Sequence, residues 1–137
     1  MCNNYHMKTI IAGGRDIHDY QLVLDAIKES QFPISTVVSG GAKGIDALGE
    51  KYAHEMVLPL NVYEADWEKN GRAAGPIRNR KMAENAEALI AVWDGKSRGT
   101  KNMIETARKL GLLVYVKLTV ECCNQECNQG RSCPRKV

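Results

Sequence analysis

The sequence predicts an α/β fold, one doubly wound parallel sheet of about five strands with helices on both faces. Three observations carry the prediction. Short β-branched runs alternate along the chain with stretches of helical hydrophobic period. At 137 residues and 15.2 kDa the chain is long enough to bury the core of one domain. Cys2 stands at one end and Cys122, Cys123, Cys127 and Cys133 crowd the other, so the body needs no disulfides.

The elements follow in order. "KTIIA" (8–12) reads as a buried strand ending at Gly13-Gly14. "DYQLVLDAIKES" (19–30) places Leu22, Ala26 and Ile27 on one helical stripe. Pro33 ends that unit, and "ISTVVS" (34–39) is the second strand. From Ile45, apolar residues at Leu48, Tyr52 and Met56 mark a second helix, with His54 on its solvated side. "PLNVYEA" (59–65) is a third strand, placed near an edge by its leading proline. A loop over 66–75 leads to Pro76 as the first helical residue, and "PIRNRKMAENA" (76–86) is the third helix. "ALIAVWD" (88–94) is the most hydrophobic strand. "TKNMIETARKLG" (100–111) is a helix stopped by Gly111, and "LLVYVKL" (112–118) is the fifth strand.

In such a sheet the helix N-termini and the C-terminal ends of the strands share one edge, where ligands bind. That edge receives Gly13, Gly14, Arg15 and Asp16 after the first strand. After the second come Ser39, Gly40, Gly41, Ala42, Lys43, Gly44 and Asp46. The third helix contributes Arg78 and Asn79, followed by Arg80 and Lys81. Asp94, Gly95, Lys96, Ser97, Arg98, Gly99 and Thr100 follow the fourth strand. Glycines let backbone N–H groups approach an anion, whereas cations in a first helical turn oppose the macrodipole. A phosphate between them resolves the conflict, so a phosphate-bearing ligand is expected. Trp93, beside Asp94, is placed either to stack on a base or to pack, and Trp67 either to form a lid or to cover the sheet edge.

Other classes are excluded or disfavoured. No apolar run approaches a membrane span, and the N-terminal apolar stretch is too short for a secretory signal, so a cytoplasmic location is expected. A formal charge of +3 does not by itself call for nucleic acid. There is no G-x-G-x-x-G, and "DGKS" (94–97) is no P-loop because the glycine it requires is Ile90.

"VVSGGAKGIDALGEKYAHE" resembles the signature of the DNA-processing protein A (Smf) family. "PIRNRKMAE" and "DGKSRGTKNMIETARKLG" resemble two further segments of that family. The order "IIAGGRD", "SGGAKGID", "AAGPIRN", "WDGKSRGTK" is closer still to the small stand-alone YspA-like, cpYpsA-related branch of the same SLOG superfamily. The resemblance runs over residues 8–118. It implies a Rossmann-like nucleotide-binding domain over 7–118, binding a nucleotide or a nucleotide-derived ligand. Sensing of cyclic ADP-ribose-like signals is known for SLOG domains. Homo-oligomers are common there, so at least a dimer is expected.

The lonely-guy phosphoribohydrolases belong to the same superfamily. Similarity to them matches Arg78 to their catalytic arginine and Gly99-Thr100 to their phosphate loop, while Asn79 stands where they have lysine. Their catalytic glutamate falls on Met103, with Glu105 the nearest carboxylate. Three functions follow as expectations. The first is binding of a phosphoribose-bearing ligand, with Ser39, Lys43, Arg78, Ser97, Arg98 and Thr100 on phosphate and Asp16, Asp46 or Asp94 on ribose. The second is a nucleoside 5′-monophosphate N-glycosidase using Arg78 with Asp46, Asp94 or Glu105. The third, single-stranded DNA binding, is disfavoured by one Phe and two Trp, few stacking platforms.

Residues 119–137 lose all hydrophobic period and read as an appended Cys-rich tail, similar to tails on small phage-encoded proteins. The body requires no cofactor. Zinc held by Cys123, Cys127 and Cys133, with Cys122 or His6 as fourth ligand, is set against a flexible, redox-sensitive or partner-docking tail.

Overall fold

A computed structural model describes residues 7–119. The elements are β1 (Met7–Gly13), α1 (Tyr20–Ser30), β2 (Ile34–Ser39), α2 (Ile45–Glu55), β3 (Leu60–Val62), α3 (Trp67–Asn70), a 3₁₀ turn (Gly71–Ala73), α4 (Ala74–Glu84), β4 (Ala88–Trp93), α5 (Arg98–Lys109) and β5 (Leu113–Leu118). The five strands lie in the order β3-β2-β1-β4-β5, every neighbouring pair parallel. The predicted α/β architecture is the observed one. The tail lies outside the described residues apart from Thr119, whose N–H donates to the Trp93 carbonyl at 2.8 Å. Cys2, His6 and the four tail cysteines also lie outside them.

Alternation along the central strands builds two cores. Ile10 and Ala12 of β1, with Leu89 and Ala91 of β4, face Met82 and Ala83 of α4 and Met103, Ile104 and Ala107 of α5. Ile11, Ile90 and Val92 point the other way, onto Val23 and Ala26 of α1 and Ile45 and Ala53 of α2. This two-sided burial is why β4 reads as an unbroken apolar run. The helix α2 comes close because Gly49 faces β1: a β-carbon there would lie 2.9 Å from Ile11 Cβ and Cγ2.

Helix starts are set locally. The Asp19 carboxylate accepts the Gln21 N–H at 3.0 Å, and Ser97 Oγ accepts the Thr100 N–H at 3.4 Å. The last helix therefore begins at Arg98, two residues earlier than its hydrophobic pattern suggested.

Two expectations need correction. The loop predicted over 66–75 is largely helical. Asp66 caps α3 by accepting the Lys69 N–H at 3.1 Å, Gly71 turns the chain at φ +54°, and α4 starts at Ala74 rather than Pro76. Proline is tolerated in third place because first-turn N–H groups have no intrahelical acceptor. The strand predicted over 59–65 shrinks to Leu60–Val62. It is the edge strand that its proline suggested, and its ladder stops where its one partner ends, at Ser39↔Val62.

Candidate functional site

With β1 flanked by β2 on one side and β4 on the other, successive connections leave in opposite directions at the C-terminal ends of β1 and β4. A crevice is therefore left above that point. The loop after β1 is fixed to its neighbours on both sides. Gly14 N–H donates to the Val92 carbonyl at 3.2 Å, and the Gly14 carbonyl accepts the Ile45 N–H at 3.2 Å. Gly44, at φ +73°, brings the start of α2 against this loop, where any β-carbon would overlap the Gly14 carbonyl. Bare backbone is thus required here for packing as well as for any anion.

The crevice is a cleft of about 610 Å³, within the usual range for small-molecule sites. Its cations are Arg15, Arg72, Arg78, Lys96 and Arg98, and Met82 and Met103 contribute apolar surface. The Asp94 carboxylate accepts the N–H groups of Lys96 and Ser97, both at 2.8 Å, which lowers its pKa from the ordinary value and curls the chain into α5. Among the first N–H groups of α5, that of Thr100 goes to Ser97 Oγ and that of Lys101 to the Ser97 carbonyl. Those of Arg98 and Gly99, at the cleft wall, have no acceptor within the helix.

The cleft is also lined by Asp46 of α2 and Arg78 of α4. Asp46, at 6% exposure, accepts the Ala42 N–H at 3.2 Å through Oδ2. Burial pushes its carboxyl up to about 6, and the Ala42 N–H and Arg78 pull only partly against that. Arg78 reaches across from α4 to donate to the Gly40 carbonyl at 2.7 Å. Burial lowers its pKa while Asp46 opposes the change. A buried carboxylate bound to backbone and a half-buried guanidinium bound to the Gly40 carbonyl thus line the same cleft, near enough to influence each other's charge.

Of the residues expected at the site, the cleft brings together Gly13, Gly14, Arg15, Asp16, Ala42, Asp46, Arg78, Asn79, Asp94, Ser97, Arg98, Gly99 and Thr100. Gly40, Gly41 and Lys43 line an adjoining cleft of about 730 Å³, which shares Arg15, Asp16, Ala42, Trp67 and Arg78 with the first. Gly44, Gly95, Ser39 and Glu105 line neither. Ser39 is fully buried, its hydroxyl donating to Glu50 at 2.7 Å and accepting the Gly41 N–H at 3.1 Å. It therefore shapes the turn rather than facing a ligand. Glu105 sits on the exposed face of α5, whereas Met103 is buried at the cleft.

Asn79 is also structural in part. Its Nδ2 donates to Asn102 Oδ1 at 2.9 Å and its Oδ1 accepts from Arg78 Nε at 3.0 Å, tying α4 to α5. Arg72 and Asn102 were not expected, and no motif points to them. Trp93 lies half-buried against the core, with Nε1 donating to the Ser97 carbonyl at 3.1 Å. Its packing reading holds. Among the described residues no three His, Cys, Asp or Glu side chains gather as a metal would require. No helix among them is long and apolar enough to cross a membrane.

Residues 7–70 match the model of the YspA, cpYpsA-related SLOG family. The chain is 33% identical over 117 residues to the gene 61 protein of Mycobacterium phage D29, an alignment covering 78% of this chain and 93% of that one. In fold it is similar to DNA processing protein A from Streptococcus pneumoniae, with a TM-score of 0.64 at 17% identity. That superposition covers 91% of this chain and 55% of the other, so the chain spans little more than half of that structure's length.

Proposed function

This chain belongs to the YspA, cpYpsA-related branch of the SLOG superfamily, and from that premise we propose that its cleft binds a nucleotide or nucleotide-derived, phosphoribose-bearing ligand. The observation that carries the reading is the meeting of Arg15, Arg78 and Arg98 with the start of α5 in one cleft at the crossover of a parallel sheet. Phosphate sits against Arg98 and the N–H groups of Arg98 and Gly99, where helix dipole and guanidinium act in the same sense. Asp16 accepts from ribose hydroxyls. Asp94 already accepts the Lys96 and Ser97 N–H groups, which leaves it less free for that role.

Calorimetry with a panel of nucleoside mono- and diphosphates and ADP-ribose derivatives tests the proposal. Arg98→Ala should weaken binding about 10- to 100-fold, the worth of one charge-assisted contact. Absence of heat from the whole panel would sink it. Mass spectrometry of the copurifying nucleotide would name the base.

One observation favours a second reading, the N-glycosidase. Asp46, with a carboxyl pushed up to about 6, stands in the cleft with Arg78. A carboxyl near neutrality suits proton transfer to a leaving base or activation of water, with Arg78 holding the phosphoribose. The apolar Met103 leaves Asp46 as the better-placed carboxylate for that work, ahead of the exposed Glu105. A chromatographic assay for free base decides: release should occur from a 5′-monophosphate and be lost in Asp46→Asn. No release from any common monophosphate removes this reading and leaves binding standing.

A further inference from the structure

The guanidinium carbon of Arg15 lies 6.0 Å over the centre of the Trp67 ring. That spacing is too wide for stacked contact, which brings atoms to about 3.5–4 Å, and slightly short of the roughly 7 Å that two such contacts need. A widening of less than about 1 Å would admit one planar ring between them. Trp67 is 51% exposed, an unusual state for so large an apolar surface. It is nevertheless held in place: Asp66 caps the helix that carries it. Gly75 lies against its ring, close enough that a β-carbon there would make ordinary contact with Cη2 at 3.4 Å.

Arg15 and Trp67, with Asp16, Ala42 and Arg78, line both clefts and so stand where the two adjoin. We propose that Arg15 and Trp67 form a slot for a nucleobase, which enters between guanidinium and indole and joins the two clefts into one site. The inference rests on the phosphoribose-binding reading and extends it to the ligand's other end. A base has two π-faces, one suited to the indole and the other to a guanidinium plane. Asp16 and Glu64 line the adjoining cleft and supply acceptors for amino or ring N–H groups. Base-free sugar phosphates would fill only the cationic end.

The test uses the full chain and its Trp67→Ala, Trp67→Phe and Trp93→Phe variants. The probes are the four common ribonucleoside monophosphates, ADP-ribose and, as a base-free control, ribose 5-phosphate. The wild type should prefer at least one base-bearing probe over ribose 5-phosphate by ~10-fold or more. Trp67→Ala should weaken that probe by about 10- to 100-fold and bring its affinity close to that of ribose 5-phosphate. Trp67→Phe should retain most of the preference. In Trp93→Phe, which keeps Trp67, the probe should quench indole emission. The slot is refuted if Trp67→Ala leaves the preference intact, if the wild type binds ribose 5-phosphate as tightly as any nucleotide, or if quenching is lost in Trp93→Phe. Absence of binding by every probe would instead overturn the phosphoribose reading itself, and the slot with it.

Discussion

Asp46→Asn should stabilise the free protein above pH 6 while changing it little near pH 4. The carboxyl is 6% exposed, and burial pushes it from 3.8 to about 6. The folded state therefore holds this proton more tightly than the unfolded chain does. Stability from the neutral carboxyl is fully present below 3.8 and is lost as the pH rises through about 6. At ~1.36 kcal/mol per pH unit, that displacement, already net of the opposing Ala42 N–H, Arg78 and Arg15, corresponds to about 3 kcal/mol. Asparagine keeps an oxygen for the Ala42 N–H and never ionises. Urea unfolding of both proteins from pH 4 to 8 gives the difference directly, since every other titrating group cancels. The Asn variant should gain on the wild type by about 2–3 kcal/mol across that range. A difference that stays flat, or that shrinks as pH rises, would show that Asp46 is solvated or fully paired and would refute the reasoning.

Gly49→Ala should cost about 1–2 kcal/mol in chemical denaturation despite alanine's better helix propensity, because its β-carbon meets β1 at 2.9 Å from Ile11. Asn79→Ala should cost about 1–3 kcal/mol, since it leaves Asn102 Oδ1 without its donor and Arg78 Nε without its acceptor. An unchanged urea midpoint would refute the bridge between α4 and α5. Val57→Gly should stabilise by up to about 1 kcal/mol, because a β-branched residue is held there at φ +56° with 87% of its surface exposed. A lowered melting temperature would count against that backbone conformation.

The fold was legible because its determinants are local. Period-two and helical patterns are written into consecutive residues, and Gly13, Gly14, Gly40, Gly41 and Gly44 mark where strands give way to helices. The region before Pro76 was misread for the same reason. Trp67–Asn70 is too short to show a period, and its cap at Asp66 looks like an ordinary loop residue. The length of β3 depended on where β2 stops, which β3's own residues do not encode.

For the site, the sequence by itself determined which edge of the sheet would carry glycines and cations, because parallel topology sends every strand end and helix start to one side. Only the tertiary structure decided which of those residues line the cleft. Ser39 turned inward because Glu50, one helical register after Asp46, offered its hydroxyl a buried partner. Arg78 became a wall of the cleft by reaching the Gly40 carbonyl 38 residues away. Arg15, in the loop after β1, came to lie 6.0 Å over the ring of Trp67 in α3, far away in the chain. Spacing within the chain cannot state such pairings, since a side chain's chemistry is set by whatever the fold places within a few ångströms of it.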